Sequence, residues 1–363
     1  MIPWAKPTLF GKEERYVQEA LRSTWISGGP FVDRLEKDFC ETLQVPFAAV
    51  VSNGTAALHL AYLALGVGHQ DEVIVPGFAY QAAANIAILC GARPVFVEVD
   101  PATWCLDPSA LESAITPRTR AIVPIHTYGN VCDLTAILSV ARSRGTPVVE
   151  DVSESMMSEW EGRQAGTIGT IGTYSFHATK TITTGEGGMV VTRDPELDQR
   201  VRLFRSHGML RERRYYWHEA PGHNFRLTNL QAAMGCAQLE SIQEIVARRR
   251  AVHAMYRREL DGESGVTLQH FDARVMPVLW ALALKLDPGA FPQGRDRVID
   301  QMRELDVECR PGFYAASQQP IYDSLALPVC EDLARNVISL PTFPDLTEEL
   351  VHTICQGLRK LKR

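Results

Sequence analysis

The sequence contains no uncharged apolar stretch of about 18 residues, and its N-terminus has no basic region followed by an apolar core. We therefore expect neither a membrane-spanning segment nor a secretory signal. No run of glycine, serine or proline is long enough to form a linker. An excess of positive charge is also absent, since 37 Lys and Arg residues stand against 43 Asp and Glu residues and leave a net charge of -6. This balance argues against a nucleic-acid-binding surface.

Cysteine pairs and a dinucleotide-binding loop are missing as well. The eight cysteines are scattered, with no CxxC pair and no histidine at metal-ligand spacing. We expect reduced, mostly buried thiols of a cytosolic protein, and no metal site. No GxGxxG sequence follows the first apolar run, which argues against a dehydrogenase that binds a dinucleotide.

The sequence does contain a regular alternation of short apolar runs and helical patterns between residues 47 and 192. Runs such as EVIVP and PVFVEV are apolar at consecutive positions, as in strands that are covered on both faces. This order predicts an α/β fold with a mostly parallel, mixed sheet between helices. GTYSFHA and GGMVVTRD have no helix between them, which indicates a local change of strand direction. Residues 227–260 predict one long helix.

The length of 363 residues allows two domains. We predict a large cofactor-binding domain over residues 1–250, which includes an N-terminal arm, and a smaller α+β domain over residues 251–363. Ligands of open sheets collect outside the carboxyl ends of the strands, so the loops after the apolar runs are the places to search for a site.

The first such loop is SNGTAALHL, where a helix begins directly after a strand that ends at Ser52. Free backbone N–H groups at a helix start, with Gly54 allowing close approach and Thr55 adding a hydroxyl, form a seat for phosphate. An ordinary helix cap by Asn53 or Thr55 explains the same residues.

The second loop is PVVEDVSES, where Glu150 and Asp151 close an otherwise apolar run. A carboxylate at this place can bind a metal, act as a base or pair with a protonated ring nitrogen. It can also simply cap the segment that follows.

The third loop is SFHATKTITTGEGG, in which Lys180 has no Asp or Glu within five residues on either side. A lysine in a partly desolvated pocket loses its preference for the charged form, and its amine can then form a Schiff base with a carbonyl. A solvated loop lysine is the competing explanation.

Together the three loops supply a phosphate seat, an acid for a pyridinium nitrogen and an imine-forming lysine. This is the set of groups that pyridoxal 5'-phosphate requires. Tyr80, in VIVPGFAYQ, offers an aromatic ring to cover the cofactor, although simple packing explains it equally well.

Eight sequence blocks, in order along nearly the whole chain, resemble the sugar aminotransferases of the DegT/DnrJ/EryC1/StrS family. The blocks are STWISGGPFVDRLEKDF, VSNGTAALHLA, GARPVFVEVDP, IVPIHTYGN, VVEDVSES, SFHATKTITTGEGGMVVT, NFRLTNLQAAMGCAQL and SLPTFPDLTEE. The resemblance implies the fold type I of pyridoxal phosphate enzymes, that of aspartate aminotransferase, with a smaller α+β C-terminal domain. It also implies a homodimer with shared active sites.

The resemblance gives a role to each cofactor residue. Lys180 would bond to the cofactor and move the transferred proton, and Asp151 would keep the pyridine nitrogen protonated. The other implied contacts are Gly54, Thr55 and Ser175 at the phosphate, Tyr80 over the ring, Glu154 beside the 3-hydroxyl and Asn224 at the phosphate of the neighbouring subunit.

Within the family, STWIS, RSHGM, RRYYWH and RPGFY look most like the branch that makes GDP-perosamine. Those enzymes transfer an amino group from L-glutamate to C4 of GDP-4-keto-6-deoxymannose. Arg211, Trp217 and His218 would then hold the nucleotide sugar, and Arg310 its diphosphate. A solvated loop is the alternative for the basic and aromatic cluster.

Other substrates and functions stay open. The segments SMMSEWEG and YAASQQPIY depart from the family pattern, so a sugar linked to dTDP or UDP is an alternative. Family members that dehydrate C3 of the sugar carry histidine in place of the lysine, and Lys180 argues against that reaction. The filled cofactor positions argue against a noncatalytic regulator. We expect a cytoplasmic enzyme of deoxyamino sugar and lipopolysaccharide O-antigen biosynthesis, without nucleic-acid or membrane partners.

Overall fold

The structure, a computed structural model, describes residues 1–210 and 214–363. Arg211, one of the predicted substrate residues, lies outside the described residues. The α-helices are α1 Glu13–Arg22, α2 Pro30–Leu43, α3 Gly54–Leu65, α4 Ala82–Leu89, α5 Leu111–Ala114, α6 Leu134–Arg144, α7 Pro195–Arg205, α8 Asn229–Glu240, α9 Ile242–Leu260, α10 Arg295–Glu304, α11 Pro328–Asn336 and α12 Glu348–Lys360.

The strands run in shorter segments between them. They are β1 Phe47–Val51, β2 Glu72–Pro76, β3 Arg93–Val97, β4 Thr119–Ile122, β5 Val149–Asp151, β6 Glu159–Trp160, β7 Arg163–Gln164, β8 Ile171–Ser175, β9 Gly188–Thr192, β10 Val266–Leu268, β11 Val275–Met276, β12 Leu282–Leu286, β13 Arg310–Pro311 and β14 Val337–Leu340.

The main sheet is mixed and mostly parallel. Strands pair in the orders β3-β2-β4 and β1-β9-β8-β5. Parallel bridges from Ile122 to Val148 and from Ile125 to Asp151 join the two groups. Pairs β2·β3, β2·β4 and β5·β8 are parallel, whereas β9 runs antiparallel to both β1 and β8. The predicted change of strand direction is therefore confirmed at β9.

Apolar residues on both faces of the strands explain why helices cover the sheet on both sides. In β1, Ala48 and Val50 belong to one buried cluster, whereas Ala49 and Val51 belong to another. Successive side chains of a strand point to opposite faces, so a strand that is apolar at every position needs a core on each side. Since helices cover both faces of the main sheet, a ligand can reach it only at the ends of its strands.

The C-terminal part forms a second sheet, with the antiparallel order β10-β12-β14-β13. Helices α9, α10 and α12 contribute to its core. The N-terminal residues reach this part, since Ile2 pairs with Val307 and the Trp4 indole N–H donates to Ser339 Oγ at 2.9 Å. The boundary between two domains near residue 250 stays a prediction.

The prediction of one helix over residues 227–260 is wrong. The chain forms α8 and α9, which are separated at Ser241, where ψ is 9°. The backbone N–H of Ser241 bonds to Gln238 O at 3.1 Å and so closes a tight turn. Among the described residues, no helix is long and apolar enough to cross a membrane.

Candidate active site

A cavity of about 910 Å³ opens at the carboxyl ends of the strands of the main sheet. The loops after β1, β5 and β8 contribute to its lining, and aromatic residues from other parts of the chain complete it. Eight of the predicted site residues line this cavity, namely Gly54, Thr55, Tyr80, Asp151, Glu154, Ser175, Lys180 and Arg310.

The start of α3 has the geometry of an anion seat. Asn53 caps the helix, because its side chain accepts a hydrogen bond from Ala56 N at 2.8 Å. This confirms the cap predicted for Asn53, while Gly54 and Thr55 still present the first turn of the helix to the cavity. A Cβ atom on Gly54 would lie 2.8 Å from the Cβ atom of Ser175. Only glycine therefore lets β8 approach the helix start so closely.

The two carboxylates at the end of β5 face different surroundings because adjacent strand residues point to opposite faces. Asp151 is buried in the cavity wall and accepts a hydrogen bond from Ser153 N at 3.0 Å. Glu150 is fully buried on the other side, where it accepts hydrogen bonds from Gly166 N at 2.7 Å and Ile168 N at 2.8 Å. Glu150 therefore holds a loop, and Asp151 is the carboxylate available to a ligand.

Glu154 is buried three residues beyond Asp151. Burial raises the pKa of the Glu154 carboxyl group to about 7, and the negative charge of Asp151 acts in the same direction. Lys180 and a hydrogen bond from the backbone N–H of Tyr128, 2.8 Å long, oppose this shift. Tyr128 makes that bond from a left-handed backbone conformation, with φ at 59°. Glu154 can therefore exchange a proton near neutral pH.

Lys180 lies on the loop after β8, with its amine directed into the cavity. Burial lowers the pKa of the Lys180 ammonium group. Glu154 and Asp151 oppose this effect, whereas the charge of Arg249 adds to it. The sequence around Lys180 is free of carboxylates, but the fold brings two carboxylates from the β5 loop towards it. Absence of acidic neighbours along the chain therefore does not mean absence of acidic neighbours in space.

The cavity lining also includes an aromatic wall made of Trp4, Tyr128, Trp280 and Phe313. Tyr128 and Phe313 stack with ring centroids 5.1 Å apart, and Trp4 meets Trp280 edge-on at 5.2 Å. The amine of Lys180 lies 3.7 Å from the centroid of the Trp280 ring. These residues were not predicted from the sequence. The one available signal was Trp280, an aromatic residue just before the apolar run of β12.

Two predicted residues lie between the loops and the solvent. Tyr80 is 66% exposed, and its ring lies 6.4 Å from that of Phe313. The guanidinium group of Arg310 lies 4.2 Å from the ring centroid of Trp4 and 3.4 Å from Glu308 Oε1. Both side chains therefore belong to the solvent-exposed part of the cavity lining.

Three other predicted residues do not line this cavity within the described part of the chain: Asn224, Trp217 and His218. The Asn224 side chain accepts a hydrogen bond from Arg226 at 2.9 Å. Trp217 donates to Glu219 at 3.0 Å, and the His218 ring lies 2.9 Å from His207 O. Their roles in binding cofactor or substrate stay predictions.

A carboxylate at the end of one strand, a lysine on the loop after a parallel strand and a helix start line one cavity, and this set defines the site of a fold type I pyridoxal phosphate enzyme. The model of the DegT/DnrJ/EryC1/StrS aminotransferase family matches residues 8–359. The chain therefore belongs to this family.

Individual relatives are similar over nearly their whole length. The chain is 42% identical to the GDP-perosamine synthase of Caulobacter vibrioides, covering 98% of this chain and 97% of that protein. It is 40% identical to the GDP-perosamine synthase of Escherichia coli O157:H7, covering 99% and 98%. The crystal structure of the aminotransferase TlmJ from Streptoalloteichus hindustanus superposes with a TM-score of 0.94 at 33% identity, covering 99% and 98%.

These findings confirm the predicted family, the fold class, the aminotransferase activity and pyridoxal phosphate as the cofactor. The residues present also fit that cofactor chemically. The helix start at Gly54 suits a phosphate, the buried carboxylate of Asp151 suits a protonated ring nitrogen, and the amine of Lys180 suits a carbonyl carbon.

Proposed function

We propose that the protein transfers an amino group from L-glutamate to C4 of GDP-4-keto-6-deoxymannose, which yields GDP-perosamine. The two relatives that carry this name match over nearly the whole chain. The observation that carries the proposal is that Lys180, Asp151 and the helix start at Gly54 line one cavity. An amine of lowered pKa in such a cavity is suited to proton transfer.

Five groups would hold the cofactor. The N–H groups at the start of α3, together with the hydroxyl groups of Thr55 and Ser175, would bind its phosphate. Asp151 would keep the ring nitrogen protonated, and Tyr80 would cover the ring face. When bound, pyridoxal phosphate supplies an electron sink that stabilises negative charge on a carbon next to the reacting nitrogen.

Lys180 would move the proton. Its amine is nucleophilic and basic only when neutral, and burial favours the neutral form. In that form it would take a proton from the α-carbon of glutamate. In the second half of the reaction it would act as the ammonium group and deliver a proton to C4 of the sugar. Glu154, whose pKa is about 7, would hold or release a proton beside the 3-hydroxyl group.

Recognition of the nucleotide sugar would fall to the more exposed residues. Arg310, whose side chain is 51% exposed, would bind the diphosphate, and Arg211, Trp217 and His218 would contact the rest of the nucleotide sugar. Large apolar side chains of the cavity lining are exposed, such as Leu89 at 73%, and this exposure supports the proposal that a second subunit covers them. We propose a homodimer in which Asn224 reaches the partner's phosphate site.

The location and pathway are part of the same proposal. The eight cysteines are unpaired, six of them buried, which supports a reducing compartment such as the cytoplasm. A GDP-linked 4-amino sugar would serve as a donor for lipopolysaccharide O-antigen synthesis.

A substrate panel tests the proposal. Purified protein loaded with pyridoxal phosphate is incubated with L-glutamate and a 4-keto-6-deoxysugar linked to GDP, dTDP or UDP, and products are identified by mass. We expect a 4-amino product from the GDP sugar and a change in visible absorbance on addition of glutamate alone. Turnover of only the dTDP or UDP sugar would disprove the GDP assignment, and no absorbance change with any amino donor would disprove the transferase.

A further inference from the structure

Arg249 is a buried cation that contacts the backbone of the proposed catalytic lysine. It lies on α9 and is 3% exposed. Its Nη2 atom donates to Lys180 O at 3.0 Å, and its Nη1 atom donates to Leu279 O at 2.9 Å and to Trp280 O at 3.4 Å. One guanidinium group thus joins the backbone of the lysine loop to the backbone that leads into β12.

Trp280 makes two contacts with the same loop. Its indole N–H donates to Thr179 O at 3.1 Å, one residue before Lys180. Its ring face lies 3.7 Å from the Lys180 amine, within the distance of a cation–π contact. Arg249, Trp280 and the loop at Thr179 and Lys180 therefore form a closed set of contacts, here called the lysine clamp.

We propose that Arg249 and Trp280 are positioning residues for Lys180, which fix its backbone from behind and hold its amine on the indole face. The inference deepens the proposed function, because it rests on Lys180 as the proton-transferring residue. Neither residue needs to touch the substrate for this role. The clamp keeps the amine at one place when it is not bonded to the cofactor.

The two side chains of the clamp, Arg249 and Trp280, act on the charge of the Lys180 amine in opposite directions. The positive charge of Arg249 disfavours a second cation nearby, whereas the electron-rich face of Trp280 favours one. Burial of Lys180 sets the overall direction and lowers the pKa of its amine. Removal of each side chain should therefore shift the pKa of the amine in opposite directions, which a loss of packing alone would not do.

Other charged groups lie near Lys180 and are the same in every variant. The groups that share a cavity wall with it are Asp151 and Glu154 from the β5 loop, His177 and Glu186 from its own loop, Lys6 from the N-terminal residues and Arg310 from β13.

Competitive labelling of amines measures the effect directly. The protein is stripped of pyridoxal phosphate and treated with trace acetic anhydride over a range of pH, and acetylation of Lys180 is read by mass spectrometry. Lys37, whose side chain is 74% exposed, serves as the internal reference. Arg249→Met should raise the labelling pKa of Lys180, and Trp280→Leu should lower it, each by about one pH unit.

Conservative variants separate electrostatics from packing. Arg249→Lys keeps the charge and Trp280→Phe keeps a ring, so both should label close to the wild type. Shifts of the same sign in Arg249→Met and Trp280→Leu, or no shift, would overturn the proposal. Circular dichroism shows whether Arg249→Met folds. If it does not fold, the two Trp280 variants decide the test. A labelling pKa of Lys180 that is unchanged or raised in Trp280→Leu then rejects the clamp.

This readout is independent of the transfer reaction. A protein that failed to aminate the GDP sugar would still show the opposite pKa shifts if the clamp exists. An active enzyme without those shifts would retain the proposed function and lose the clamp.

Discussion

Two parts of the cavity lining, here called the strand-end wall and the aromatic wall, are built in different ways. The strand-end wall consists of Gly54, Asp151 and Ser175, which the backbone places at the end of a strand or the start of a helix, and of Lys180 on the loop after β8. The aromatic wall is placed by packing of rings against one another, for example Tyr128 on Phe313 at 5.1 Å. A backbone-fixed wall suits chemistry that tolerates little displacement, and a side-chain wall suits adaptation to different substrates.

This comparison predicts a division of labour. Changes in the strand-end wall should affect cofactor binding and proton transfer, whereas changes at Arg310, which lies beside Trp4 of the aromatic wall, should affect the affinity for the nucleotide sugar. Trp280 is the exception in the aromatic wall, because it contacts Lys180.

The largest effect is expected for Lys180→Ala. Loss of the amine should slow the half-reaction with glutamate by about 10³-fold or more, because a positioned acid–base group is removed. Pyridoxal phosphate should still bind through noncovalent contacts, as measured by its absorbance after gel filtration. Lys37→Ala, at an exposed helix position, is the control. Full turnover of the Lys180 variant would remove this residue from the mechanism.

Glu154→Gln should change how stability depends on pH. Burial raises the pKa of Glu154 to about 7 from 4.5, so between these values the folded protein holds the additional proton. Wild-type stability should therefore fall as pH rises through this window, by at most about 3 kcal/mol, and the glutamine variant should lack this loss.

Urea unfolding of the cofactor-free protein at about pH 5 and about pH 8 measures the free energy of unfolding for this test. Glu112→Gln, whose carboxylate is 80% exposed, is the matched control. Equal pH dependence in wild type and Glu154→Gln would show that Glu154 ionises normally.

Gly54→Ala tests the anion seat within the strand-end wall. The added Cβ atom would meet Ser175 at 2.8 Å and push apart the groups that would bind phosphate. We expect about 30-fold weaker binding of pyridoxal phosphate in equilibrium dialysis, equivalent to about 2 kcal/mol. Gly68→Ala is the control, since no atom lies within 4 Å of its added Cβ. Unchanged affinity for Gly54→Ala would place the phosphate elsewhere.

The smallest effect is expected beside the aromatic wall. Arg310→Met should raise KM for the nucleotide sugar about tenfold and leave kcat nearly unchanged, because a half-exposed charge contributes modestly to binding. Arg297→Met, which removes an equally exposed arginine that also pairs with a carboxylate, is the control. A fall in kcat at constant KM would break the division between the two walls.

Sequence patterns predicted the strand-end wall well because its geometry is local. Asp151 and Ser175 end strands whose apolar runs are visible in the sequence, and Gly54 begins a helix directly after such a run. Parallel strands then bring these ends to one edge of the sheet, which follows from topology alone.

The aromatic wall and the lysine clamp could not be predicted in the same way. Trp280 lies 101 positions from the carbonyl that its indole contacts, and only folding of the C-terminal part brings the two together. The break at Ser241 was also missed, because apolar spacing continues across it and no glycine or proline marks it. Side-chain packing between distant segments leaves little trace in a single sequence.

The lysine clamp also limits how the molecule can open. Since Arg249 bonds to carbonyl groups on both Lys180 and Leu279, a hinge motion of the C-terminal sheet away from the lysine loop would break buried hydrogen bonds. Substrates should therefore enter a nearly rigid cavity, gated by rotation of exposed side chains such as Tyr80, rather than by closure of one lobe onto another.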